Sequence, residues 1–375
     1  MIAEQRLIEE FMELVRVDSE TGNESQIAEV LKQKFGALGL AVTEDDSKER
    51  TGHGSGNLFV TWPATEGVSA PKLLFTCHMD TVVPGQGIKP VLNEDGWITS
   101  DGSTILGADD KAGLAALFEA IRVIQEQGVP HGQIQFVITA GEESGLLGAR
   151  AMDPQHLDAD FGFALDSNGE VGAIAVAAPT QARVTMQIFG KSAHAGVNPE
   201  DGISAIQVAS KAIAAMKLGR IDNETTANIG RFAGGGPTNV VCDHVQLDAE
   251  ARSIVQEKVQ DQIASMREAL ETTVREYGAE CEFRSEIIYP AFSFNEHDEV
   301  VQLAQRAISA LGLTPRLFAS GGGSDANVFN GLKVPTVNLA VGYEHIHTTQ
   351  ERIRAEDIVK VAELVVSIVN ESVKG

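Results

Sequence analysis

A strand–helix alternation that breaks off near residue 180 and resumes near residue 291 constrains this chain more than any other feature. Before the break, apolar runs at 72–77, 133–140 and 161–166 are bounded by turn residues and read as buried strands. A helix at 111–127 and a shorter one after Ser144 lie between them. Such alternation implies a parallel or mixed sheet with helices on its faces. Inside the break the order is strand 182–189, helix 201–217, strands 226–232 and 244–252, helix 255–276 and strand 280–289. That β-α-β-β-α-β order is the ferredoxin-like arrangement, which can fold on its own. Beyond it come helix 297–311, strand 315–319, helix 325–331, strand 335–341 and helix 356–372. The expected fold class is therefore α/β: a discontinuous domain, 1–179 and 292–375, with a mixed sheet flanked by helices. A ferredoxin-like α+β domain, 180–291, is inserted where entry and exit can lie close together. The first 40 residues carry two helical patterns, and the charged loop at 43–56, with Glu44, Asp45, Asp46, Lys48 and Arg50, reads as a solvated excursion.

A chain of 375 residues can bury two cores, and 43% hydrophobic with 22% charged residues is an ordinary globular composition. The net charge of −24 argues against nucleic acid or an anionic membrane as a partner, because both attract clustered Lys and Arg. Cys77, Cys242 and Cys281 form no CxxC pair, so a disulfide framework and a thiolate zinc site are both disfavoured. No apolar run approaches the ~20 residues that span a bilayer. The expected location is the cytoplasm.

The chemistry gathers at strand ends. His78, Asp109, Glu143, Asp166 and His347 all lie at or just past strand-like runs or the turns that follow them. In an open α/β sheet, residues beyond the carboxyl ends of strands converge on one crevice. In His78-Met-Asp80 the two polar side chains point to the same side of an extended segment and can meet. Gly107-Ala-Asp-Asp-Lys-Ala-Gly113 puts two adjacent carboxylates at a glycine-flanked turn into a helix. Helix capping explains one of them easily and the second poorly. Glu142-Glu143 repeats the paired acids after a buried strand, though acids are also favoured at a helix N-terminus. Asp166 opens a turn, and His345 and His347 share one strand-exit loop. No glycine pattern fits a phosphate loop. One early histidine, one late histidine and acids from the intervening strand ends are the donor set of a two-metal site that activates water. Imidazole with carboxylate suits zinc, and also cobalt or manganese.

Those five motifs, in that order, resemble the M20 family of dizinc metallopeptidases, and within it the peptidase T branch of tripeptide aminopeptidases. The resemblance implies two zinc ions: His78 and Asp166 on one, Glu143 and His347 on the other, and Asp109 bridging. It implies that Asp80 orients His78 and that Glu142 is the general base. The late ligand is expected to be His347, because the family pattern places an acid four residues on, and Glu351 fits. Gly190-Lys-Ser-Ala-His194-Ala-Gly196 matches the motif whose histidine stabilises the oxyanion from a lid, in dimeric relatives from the partner subunit. Asn239 and Arg252 fall where relatives hold the substrate, and Gly321-Gly322-Gly323 resembles a loop that lets substrate backbone approach. The expected partners are a short peptide substrate and a second copy of the chain, paired through the inserted domain. An N-acyl-amino-acid deacylase or carboxypeptidase would use the same catalytic residues. A non-catalytic binding protein would show eroded ligands, and none is visible.

Overall fold

The structure, a computed structural model, describes residues 1–374. The chain divides into two compact units, Met1–Ala177 with Phe294–Ser320 and Ser324–Gly375, and Ala178–Ser293 with Gly321–Gly323.

The first unit is built on a mixed sheet. Leu73–His78 runs parallel to Ile134–Thr139 on one side and to Phe161–Ser167 on the other. Thr336–Ala340 continues the parallel set beside Phe161–Ser167. Leu58–Trp62 and then Val42–Glu44 extend the other flank antiparallel. Leu73–His78 and Ile134–Thr139 are buried along their whole length, as strands covered on both faces must be. The four parallel strands therefore end along one edge, and this places the chemistry. Against the sheet packs the helix Ala108–Gln127, where Phe118 meets Phe35 with ring centroids 4.7 Å apart. Buried Glu119 on that helix accepts two hydrogen bonds from Arg6, at 2.7 and 2.9 Å, tying the N-terminal helix Glu4–Val15 to it.

The second unit is an antiparallel sheet in the order Gly219–Arg220, Thr225–Gly234, His244–Ser253, Thr180–Phe189, Glu280–Tyr289. Helices Ala205–Ala215 and Gln256–Tyr277 supply its core with Val208, Val259, Met266 and Leu270. Connectivity and strand order are those of a ferredoxin-like fold. Strict in–out alternation along Thr180–Phe189 marks one face toward those helices.

Three local expectations change. The helix expected at 201–217 begins only at Ala205, because Ser204 caps it by accepting from the Gln207 amide. A strand at Ala173–Ala178 was not anticipated, since its Ala-rich sequence carries little strand propensity. The loop at 43–56 is solvated only in part: Asp46, Lys48 and Arg50 are exposed, but Asp45 is buried and accepts from the backbone amides of Ser47 and Asn57 and from the Asn57 side chain. Among the described residues, no helix is long and apolar enough to cross a membrane.

Candidate metal centre

The edge where the parallel strands end collects every expected ligand of the first unit. His78 closes its strand and is buried; its Nε2 lies 3.0 Å from Asp109 Oδ1 and 3.6 Å from Asp166 Oδ1. Asp109 Oδ2 lies 3.4 Å from His347 Nε2, which is 3.1 Å from Glu143 Oε1. Besides a group of His78, Glu142 and Glu143, the donor atoms form two that overlap, His78–Asp109–Asp166 and Asp109–Glu143–His347; in each group all atoms lie within 4.8 Å of one another. Asp109 is common to both and turns one oxygen toward each imidazole.

Local backbone explains how Asp109 reaches this place. Gly107 lies in the left-handed region at φ +75°, and Asp109 and Asp110 are both non-helical, so the regular helix starts only after them and the Asp109 carboxylate faces the two imidazoles. The loop is held by Glu351, whose buried carboxylate accepts from the backbone amides of Leu106, Gly107 and Asp109 at 2.8, 2.8 and 3.0 Å. Glu351 follows the His347 loop, so one side chain fixes two ligand-bearing segments. Asp110, the second acid, accepts from the His78 amide at 3.2 Å.

Asp80 meets His78 through its backbone as well as its side chain. His78 Nδ1 meets the backbone carbonyl of Asp80 at 2.9 Å, and the carboxylate only at 3.6 Å. A carbonyl can only accept, so Nδ1 carries a proton; the hydrogen bonds of Asp109, Asp166 and Asp80 outweigh burial and hold His78 well above the usual imidazole range, and a bound cation would take the place of the Nε2 proton. The Asp80 carboxylate also accepts from the amides of Glu142 and Glu143, both at 3.1 Å. Tyr343 and Asn338 were not anticipated. The Tyr343 hydroxyl donates to Asp166 Oδ1 at 3.2 Å, and Asn338 bonds both the amide and the carbonyl of Asp166.

The residues fit a pair of divalent cations. Three carboxylates and two imidazoles without a thiolate match zinc, cobalt or manganese. Buried Glu143 Oε1 has no hydrogen bond although His347 Nε2 is 3.1 Å away. An imidazole and a carboxylate this close could share one cation, and without it Asp109 and Glu143 hold His347 up at about 10. Burial, reinforced by Asp166, pushes Glu142 well above the usual carboxyl range. Burial also raises Glu143, and burial together with the charge of Asp109 takes Asp166 up to about 7. Fully buried Lys111 is lowered to about 7 by desolvation, and its Nζ donates to the Val17 carbonyl at 2.7 Å.

These shifts fix a sign. Between the usual carboxyl range and about 7, folded metal-free protein keeps a proton on Asp166 that the unfolded chain releases, so stability falls as pH rises through that window. Glu351, raised to about 7 by burial, acts in the same direction. Lys111 works oppositely, but only above about 7. A cation bound at Asp166 replaces its proton. The rise in Tm on adding zinc to metal-free protein is therefore expected to be larger near pH 7 than near pH 5, read by scanning calorimetry; a smaller rise near pH 7 contradicts it.

The remaining expected residues lie in the second unit. His194 is exposed and pairs in a short bridge with Val240, beside Asn239, whose carbonyl accepts from the Ala195 amide at 2.9 Å. Arg252 forms a two-point pair with Glu250, at 2.9 and 3.0 Å. Gly322 is exposed. Gly323 lies against Tyr289: a Cβ there would sit 2.3 Å from its ring, so this glycine makes room for a side chain of the protein itself.

Residues 74–371 match the model of peptidase family M20/M25/M40. The chain belongs to that family. As an M20 peptidase it is a hydrolase. The crystal structure of aminopeptidase PepT from Bacillus cereus ATCC 10987 is 59% identical, covers 100% of both chains and superimposes with a TM-score of 0.93. A tripeptidase from Staphylococcus aureus subsp. aureus mu50 is 51% identical, again over 100% of both chains, with a TM-score of 0.96. YqjE, an uncharacterized protein of Bacillus subtilis (strain 168), is 56% identical over 374 residues, 100% of each chain. This M20 peptidase is thus similar along its whole length to an aminopeptidase and to a tripeptidase.

Proposed function

We propose that this M20 peptidase is a two-metal aminopeptidase that hydrolyses the N-terminal peptide bond of short peptides, tripeptides in particular. The observation that carries the metal chemistry is the Asp109 carboxylate, which turns one oxygen toward His78 and the other toward His347. The substrate class is supported by the similarity to PepT and to the tripeptidase.

His78 and Asp166 would hold one zinc ion, Glu143 and His347 the other, and Asp109 both. When bound, such a pair supplies Lewis acidity toward a carbonyl oxygen and makes water easier to deprotonate. Glu142 takes the proton from the attacking water at its carboxylate and delivers it to the leaving amine. Asp80 holds the Glu142 and Glu143 amides, which keeps base and ligand in one geometry. His194 is proposed to stabilise the oxyanion, and Asn239 and Arg252 to hold the substrate. The second unit is proposed to pair two chains into a homodimer.

A panel of tripeptides, dipeptides and N-acetyl amino acids, assayed with zinc or cobalt, tests the substrate class. Tripeptides are expected to have the highest kcat/KM, with the free N-terminal residue released. Preference for N-acetyl amino acids, or release from the C-terminus, overturns it.

A further inference from the structure

The turn that carries Glu142 and Glu143 is braced from behind by the segment that the sequence presents as a solvated loop. Asn57 pins both ends of this turn: its Nδ2 donates to the Gly148 carbonyl at 2.9 Å, and its Oδ1 accepts from the Ala140 amide at 3.3 Å. Asn57 is itself held by buried Asp45, so it has little freedom to move. Under the middle of the turn lies His53, whose side chain is only 8% exposed. Gly141 sits directly on that ring: it has φ +66°, and a Cβ there would fall 2.5 Å from His53 Nε2. The same nitrogen meets Ser144 Oγ at 3.3 Å, and Ser144 Oγ meets Thr21 Oγ1 at 2.6 Å. From the other side, Asp80 takes the Glu142 and Glu143 amides, and His78 together with the Thr21 hydroxyl helps keep Asp80 ionised against the cost of burial. Within the turn, the Gly145 and Leu146 amides close on the Glu142 carbonyl at 2.9 and 2.8 Å.

We propose that His53, with Asn57 and Ser144, is a positioning residue that holds the general base, acting on Glu142 through the 141–148 turn and touching neither substrate nor ligand. The proposal rests on Glu142 being the base. A base that must reach a water and then a leaving amine loses rate steeply when its backbone drifts. A misplacement of ~1 Å from a change outside the chemistry can cost about 10²-fold. Asp109 and Asp166 have separate supports in Glu351, Asn338 and Tyr343, and Glu143, which shares the turn, keeps the bond of its amide to Asp80, so loosening the brace should spare metal binding.

The test compares His53→Ala, His53→Gln and Ser144→Ala with Glu142→Gln in the full-length, zinc-loaded enzyme. His53→Ala is expected to keep its zinc content, Tm and KM while kcat falls roughly 10- to 100-fold. His53→Gln, which restores a hydrogen-bonding group toward Ser144, should recover most of that loss. Ser144 lies on a surface turn, so Ser144→Ala tests the same link if His53→Ala folds poorly, with an expected kcat loss of about 10-fold. Wild-type kcat in both alanine variants, with Glu142→Gln inactive, overturns the brace and leaves the base standing. Losses of kcat that come only with lost zinc or lowered Tm also overturn it, because the segment then supports the fold alone. An active Glu142→Gln instead removes the base assignment on which the brace depends.

Discussion

Glu142→Ala is expected to bind its two zinc ions like the wild type and to lose turnover by a factor on the order of 10²–10⁴. The separation of the two effects follows from where Glu142 sits. Neither of the two groups that share Asp109 needs it, since His78, Asp109, Asp166, Glu143 and His347 supply their donors. The Glu142 backbone stays tied to Asp80 and closed by the Gly145 and Leu146 amides whatever its side chain is. Removing the carboxylate takes away the proton acceptor and little else. KM should change little, because a base acts in the transition state and not in ground-state binding. Zinc content by elemental analysis and steady-state kinetics on a tripeptide give both quantities. Wild-type turnover, or loss of metal in parallel with activity, contradicts the role.

Asp109→Ala is expected to fail differently, losing metal at both positions and turnover with it, by more than about 10³-fold. His78–Asp166 and Glu143–His347 are then each left as two-donor sites. The fold should survive, because Glu351 binds the Leu106, Gly107 and Asp109 amides and not the Asp109 side chain. Loss of both ions at nearly unchanged Tm of the metal-free protein is the signature of a shared ligand. Retention of one tightly bound ion indicates that Asp109 serves a single position.

The strand ends were legible in the sequence because buried runs and the convergence of parallel strand termini are strong signals. Asp109, Glu143, Asp166 and His78 come together at the edge where four parallel strands end, with His347 in the loop beyond the last of them. The inserted ferredoxin-like unit was legible from element order alone. What surrounds the ligands was not. Asp80 could be placed near His78, but whether its carboxylate or its carbonyl would make the bond depended on the backbone path. Tyr343, Asn338 and Glu351 act by direction and burial, which residue type does not reveal. The 43–56 segment misled for the same reason. Its charges suggest solvent, yet Asp45 turns inward to four donors on Ser47 and Asn57. A charged residue reads as exposed until its partners are known.

That two metal ions held by one shared carboxylate support the hydrolysis is tested by titrating zinc into the chelator-treated, metal-free enzyme while following turnover of a tripeptide. No turnover is expected without metal, two ions should bind per chain by calorimetry, and activity should rise to its maximum as the sites fill. Full turnover in protein that elemental analysis shows to be free of metal would contradict it.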